Sequence, residues 1–143
     1  MLQQTQVDRV AERWTHFLGR YPTPTVCAEA PVGDVIAEWS GLGYNRRAVY
    51  LHRTAEAVVD RHGGEVPGRL VDLLALPGIG PYTARAVLAF ADEQDVGVVD
   101  TNVARVLARR SGRRLRPAEV QAMADASVPT GSGWAWNQTM LDL

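Results

Sequence analysis

The sequence predicts an all-α fold, a multi-helix domain, and three observations carry that prediction. Apolar residues recur every three or four positions in one segment after another, the period of a helix with one buried face. Glycine and proline fall in the gaps, where helices stop and start. The single run that reads as a strand, Val96-Gly97-Val98-Val99, has no partner run to pair with. It is therefore an extended approach to the residue that follows it, Asp100.

Taken in order, Val7, Val10, Trp14, Phe17 and Leu18 put an apolar face on a first helix that stops near Gly19. Tyr21-Pro22-Thr23-Pro24 reads as a rigid connector. A short helix from about Val26 to Ala30 ends at Pro31, and another runs from Asp34 to Trp39 with Val35, Ile36 and Trp39 on one face. Gly41-Leu42-Gly43-Tyr44-Asn45 is a loop. A long helix then turns Ala48, Leu51, Ala55, Val58 and Val59 inward and ends at Gly63-Gly64. Residues 70–90 hold a helical hairpin, with helices over Arg69–Ala75 and Pro81–Phe90. Asp92–Gly97 is a polar turn, Thr101–Arg110 a helix, and Ser111–Arg116 a basic loop. Pro117 opens a helix to about Ala126, and Trp134 starts the last one after the flexible Gly131-Ser132-Gly133. The four tryptophans are expected to anchor the core. Residues 1–143 form one domain, with one core or two lobes and a cleft between them.

Composition narrows the function classes. At 46% hydrophobic and 22% charged, the 143 residues suit one modest globular domain. The net charge is −1, so any affinity for nucleic acid must come from a local surface. All fifteen basic side chains are arginine. Cys27 is the single cysteine, which rules out a disulfide framework or thiolate metal site within the chain. His16, His52 and His62 have no ligand spacing and are assigned no chemistry. No apolar stretch has membrane-spanning length and the N-terminus is polar at once, so a cytoplasmic protein without a membrane partner is expected.

The chemistry concentrates in two stretches. In Leu76-Pro77-Gly78-Ile79-Gly80-Pro81-Tyr82-Thr83-Ala84, two glycines flank one apolar residue and a helix begins directly. Both glycines can take positive φ or let another backbone come close. Pro81 suits the first helical turn, where an N–H is not needed. Such a turn opening a helix is a seat for phosphate. Downstream, Asp100 in Val98-Val99-Asp100-Thr101-Asn102-Val103 follows an apolar run and opens a helix. Taken alone it reads as an N-cap.

These residues resemble the helix-hairpin-helix DNA glycosylases of the endonuclease III and MutY superfamily. Leu76-Pro77-Gly78-Ile79-Gly80 is similar to the family hairpin, and Asp100 stands where the family keeps its catalytic aspartate. Met1-Leu2-Gln3-Gln4-Thr5-Gln6-Val7, Gly41-Leu42-Gly43-Tyr44 and Asn137-Gln138-Thr139-Met140-Leu141-Asp142-Leu143 resemble the MutY, or adenine glycosylase, branch.

The resemblance implies an HhH-GPD fold and a base-excision enzyme that removes adenine opposite 8-oxoguanine or guanine from double-stranded DNA, acting as a monomer. Asp100, Asn102 and Tyr82 would line the pocket for the flipped base. Gln4, Thr5, Leu42, Tyr44, Arg46, Gly78 and Gly80 would meet DNA, with Tyr44 wedged into the base stack. Bifunctional relatives carry a lysine where this chain has Tyr82, and the chain has no lysine at all. A monofunctional enzyme is therefore implied, since strand cleavage through a Schiff base needs an amine. The relatives' glutamate general acid falls two places before Met1, and their four-cysteine [4Fe–4S] cluster and C-terminal domain fall beyond Leu143. The domain is thus expected to be incomplete at both ends and weak by itself. Two other readings stay open: a thymine or uracil mismatch glycosylase of the same superfamily, and a DNA-binding module without catalysis.

Overall fold

The computed structural model describes Met1 and residues 5–143. Among the described residues there are nine α-helices and no strand: α1 Val7–Arg20, α2 Pro24–Glu29, α3 Val32–Glu38, α4 Arg46–His62, α5 Leu70–Leu74, α6 Pro81–Phe90, α7 Thr101–Ser111, α8 Pro117–Ser127 and α9 Gly133–Leu141. The all-α expectation holds, and Val96–Val99 is extended backbone outside any sheet.

The chain divides into two compact units. The first comprises Met1–Pro67 with Ala75–Gly78, and the second Gly68–Leu74 with Ile79–Leu143. In the first unit, Val10, Phe17, Tyr21, Cys27, Val35, Trp39, Leu42, Ala48 and Ala55 form the core. Phe17 and Trp39 meet edge to face, 6.2 Å between centroids. Thr23 caps α2, its Oγ1 accepting the Val26 N–H at 3.3 Å. The expected connector therefore ends inside a helix start, because Pro24 fits the first turn. α4 stops where expected, at Gly63 in the left-handed region (φ 63). His52, assigned no chemistry, is buried on α4, and its Nε2 lies 2.8 Å from the Ala30 carbonyl at the end of α2.

The tryptophan expectation needs correcting. Trp39 is buried and Trp136 packs on the core of the second unit, but Trp14 (53% exposed) and Trp134 are largely open to solvent. On α1 only Val10 and Phe17 are buried. Helical period shows which residues share a face, and does not show how far a neighbouring element extends along it.

In the second unit, Val103, Leu107, Val120 and Ala124 make a core joined by Val99, Leu115, Met123, Trp136 and Met140. α7 packs on α8 and α9, and α6 packs on α5 and α9. Gly112 (φ 68) ends α7, and Glu119 accepts the Arg116 backbone N–H at 2.8 Å to close the start of α8. No described helix is long and apolar enough to cross a membrane.

Candidate nucleic-acid interface and base pocket

The second unit brings Asp100, Asn102 and Tyr82 together. Asp100 is the N-cap of α7, and its Oδ1 accepts the Val103 N–H at 2.7 Å. Capping uses one carboxylate oxygen. The other, Oδ2, lies 3.4 Å from the Asn102 amide nitrogen. The Asn102 carbonyl oxygen in turn accepts from Arg105 at 2.5 Å, which fixes which end of the amide faces the carboxylate. Tyr82, in the first turn of α6, is 42% exposed, and its phenol is held protonated by burial first and by the Asp100 charge second. A carboxylate beside neutral donors at a helix N-terminus is suited to face a growing positive charge. The capping role and the site role expected for Asp100 are compatible, because they use different oxygens.

The hairpin divides its labour between its two glycines. Gly78 takes φ 74, and a Cβ placed on it would lie 2.8 Å from Cβ and Cγ of Tyr50. The Pro77 carbonyl accepts from Thr54 at 2.7 Å, which fixes the same corner to α4. Gly80 differs from its expectation: it takes neither positive φ nor a close approach, and its added Cβ would meet nothing within 4 Å. The folded chain itself does not require glycine at position 80.

In the first unit, Gly41 (φ 87), Gly43 (φ 70) and Tyr44 (φ 50) make three left-handed positions in a row of four. For a tyrosine that conformation costs roughly 1–2 kcal/mol, and the result is a ring 66% exposed at the loop tip. Leu42, expected with the DNA-facing set, is only 4% exposed; its side chain anchors the loop in the core. Thr5 and Arg47 brace the same loop. Thr5 donates to the Leu42 carbonyl at 3.1 Å, and Arg47 donates to the carbonyls of Leu42 (3.0 Å) and Gly43 (3.2 Å) and to Thr5 Oγ1 (3.1 Å). The Arg47 guanidinium also lies over the rings of Trp39 and Tyr44, at 5.4 and 5.6 Å. Arg47 is thus an internal brace. Arg46 is exposed, 5.8 Å over the Tyr50 ring. Thr5, Gln6, Arg9 and residues 41–44 line a recess of about 400 Å³. Gln4 lies outside the described residues.

Sequence reasoning missed Tyr50, the platform under Gly78, and named Asn137 within a family-like stretch without giving it a role. It also missed the set Arg85, Gln121 and Asp125. Asn137 is fully buried, and the other three bind the backbone leading to Asp100. A polar residue on an apolar helix face, as Asn137 is on α9, was the available signal.

A four-cysteine cluster does not fit the residues present: Cys27 is one buried thiol, raised in pKa by burial, and no group of three or more potential ligands occurs among the described residues.

A helical hairpin followed by a helix-capping aspartate, in an all-α chain, defines a class, and the comparisons agree with it. Residues 1–130 match the HhH-GPD superfamily of base excision DNA repair proteins, and the chain belongs to that family. Over 130 residues it is 45% identical to an adenine DNA glycosylase of Mycobacterium tuberculosis, a match covering 91% of this chain and 40% of that protein. The human adenine DNA glycosylase is 45% identical over 111 residues, covering 76% of this chain and 20% of that one. The fold is also similar to a thermostable thymine-DNA glycosylase, with TM-score 0.89 and 26% identity over 99% of this chain and 68% of that structure. The chain therefore spans two fifths or less of the length of these two curated relatives.

Proposed function

We propose that this domain excises adenine mispaired with 8-oxoguanine or guanine from double-stranded DNA, by hydrolysis of the N-glycosidic bond. The observation that carries the reading is the Asp100–Asn102–Tyr82 group beside a hairpin of the family type, in a chain 45% identical to an adenine DNA glycosylase. The duplex would be held by its phosphates at the hairpin and opened by Tyr44, and the adenine turned out of the stack. A general acid would protonate the base. As the bond from base to sugar breaks, Asp100 would stabilise the oxocarbenium-like sugar, and water would add to leave an abasic site. Excision of adenine from an A:8-oxoguanine duplex, compared with thymine from T:G, tests the reading in the intact gene product. Preference for thymine would overturn it.

Two further results are expected. No side chain of residues 1–143 is a primary amine, so activity should leave the backbone intact at the abasic site. Borohydride trapping of DNA on a side chain of this domain would contradict that. Second, Gly80→Ala should leave thermal stability near normal, because the added Cβ meets nothing within 4 Å. It should weaken binding to any duplex alike, since phosphate contacts position without reading sequence. Loss confined to one mispair would remove Gly80 from the phosphate-binding set.

A further inference from the structure

The backbone that delivers Asp100 is extended and has no strand partner among the described residues, so its N–H and C=O groups must be satisfied some other way. Side chains from α8 and α9 do this. The Asn137 Oδ1 accepts the Val98 N–H at 2.7 Å, and its Nδ2 donates to the carbonyls of Val96 (2.8 Å) and Gly133 (2.8 Å). One buried carboxamide thus replaces a strand neighbour on both sides of Gly97. Asp125 Oδ1 accepts the Gly97 N–H at 2.9 Å, along with Arg85 at 2.6 Å and Gln121 at 3.2 Å. Arg85 and Gln121 also donate to the Gly97 carbonyl, at 3.3 and 3.0 Å. The fit is tight. A Cβ on Gly97 would lie 2.7 Å from Ala124 Cβ, and one on Gly133 would lie 2.4 Å from the Gln94 carbonyl oxygen. Further back, Asp95 accepts the N–H groups of Gly131 and Gly133, at 2.7 and 2.9 Å.

We infer that Asn137, assisted by Asp125, is a positioning residue for base excision: it fixes the Val96–Val98 approach and so sets where the Asp100 carboxylate stands. The inference rests on the proposed catalytic role of Asp100. Asp100 follows the clamped Val98 by two residues, and its carboxylate bonds to the first turn of α7, so the carboxylate is held from both sides: by α7 on the leaving side and by the clamp on the entering side. A misplacement on the ångström scale costs up to ~10²-fold in rate.

The test is a double-mutant cycle in the intact gene product, read by single-turnover excision on A:8-oxoguanine duplex. Asn137→Asp keeps size and acceptor but loses both donors at neutral pH. The rate constant should fall ~10-fold or more at full amplitude, with duplex affinity unchanged. The fall should disappear when Asn137→Asp is made in an Asp100→Asn background. Reduced amplitude with a normal rate constant would mean a purely structural Asn137 and would overturn the inference. So would a fall that persists undiminished in the Asp100→Asn background. If Asn137→Asp does not fold, Asp125→Ala, at a partly exposed position, is read by the same criteria. A normal rate for Asp100→Asn alone would instead defeat the proposed role of Asp100, an outcome distinct from failure of the clamp.

Discussion

Replacing Asp100 by asparagine should lower base excision by ~10²-fold or more, the scale for removing one preorganised electrostatic partner of a transition state. Folding and duplex affinity should hardly change. Asparagine is as good an N-cap as aspartate, and its side-chain oxygen can still accept the Val103 N–H that Oδ1 accepts at 2.7 Å. The substitution therefore separates the two roles of one residue: the cap is kept and the charge is lost. Tyr82 supplies a second signal. The Asp100 charge contributes to raising the Tyr82 phenol, so its titration should move back toward the ordinary value in Asp100→Asn, while the part due to burial remains. Single-turnover excision by the intact gene product, with a spectroscopic titration of the tyrosines, checks both. Near-normal excision would leave Asp100 as a cap and nothing more.

The second large effect is expected at Gly78, on stability. Gly78→Ala should destabilise the domain by about 2–5 kcal/mol. The left-handed conformation contributes roughly 1–2 kcal/mol, and forcing a methyl against Tyr50 adds about 1–3 kcal/mol. The contact at 2.8 Å is to the Cβ and Cγ of Tyr50, the inner part of the side chain, which rotates away less readily than a flexible tip. Thermal or denaturant unfolding of Gly78→Ala beside Gly80→Ala measures the contrast. Gly80 has ordinary φ and open space, so its alanine variant should stay close to the parent in stability. Equal losses at the two glycines would mean that Tyr50 gives way.

That contrast shows where sequence reasoning stops. Two glycines two positions apart in a Leu-Pro-Gly-Ile-Gly stretch look equivalent in the sequence. The structure separates them, because only one faces a ring carried in from α4, more than twenty residues earlier. Leu42 is a similar case. It stands in a Gly-Leu-Gly-Tyr loop beside a tyrosine that points outward, yet its own side chain is core. Alternation along a loop does not determine which side chains face inward, because no periodic backbone fixes their directions. The two adjacent arginines diverge for the same reason: Arg47 is bound to loop carbonyls and Arg46 is exposed.

By itself the sequence determined the all-α class, the order of the helices and most of their ends, the hairpin, and Asp100 as the cap of α7. These are local properties, set by apolar period, by glycine and proline, and by a side chain reaching a backbone N–H three residues on. Only the tertiary structure decided that Trp14 and Trp134 are solvent-exposed and that Arg47 is a brace. It also decided that a buried Asn137 holds the approach to Asp100 across 39 residues of chain. That last contact could not be read from sequence, because an unpaired extended segment leaves its partners unspecified. They are whichever polar side chains the packing of α8 and α9 brings within 3 Å of its backbone.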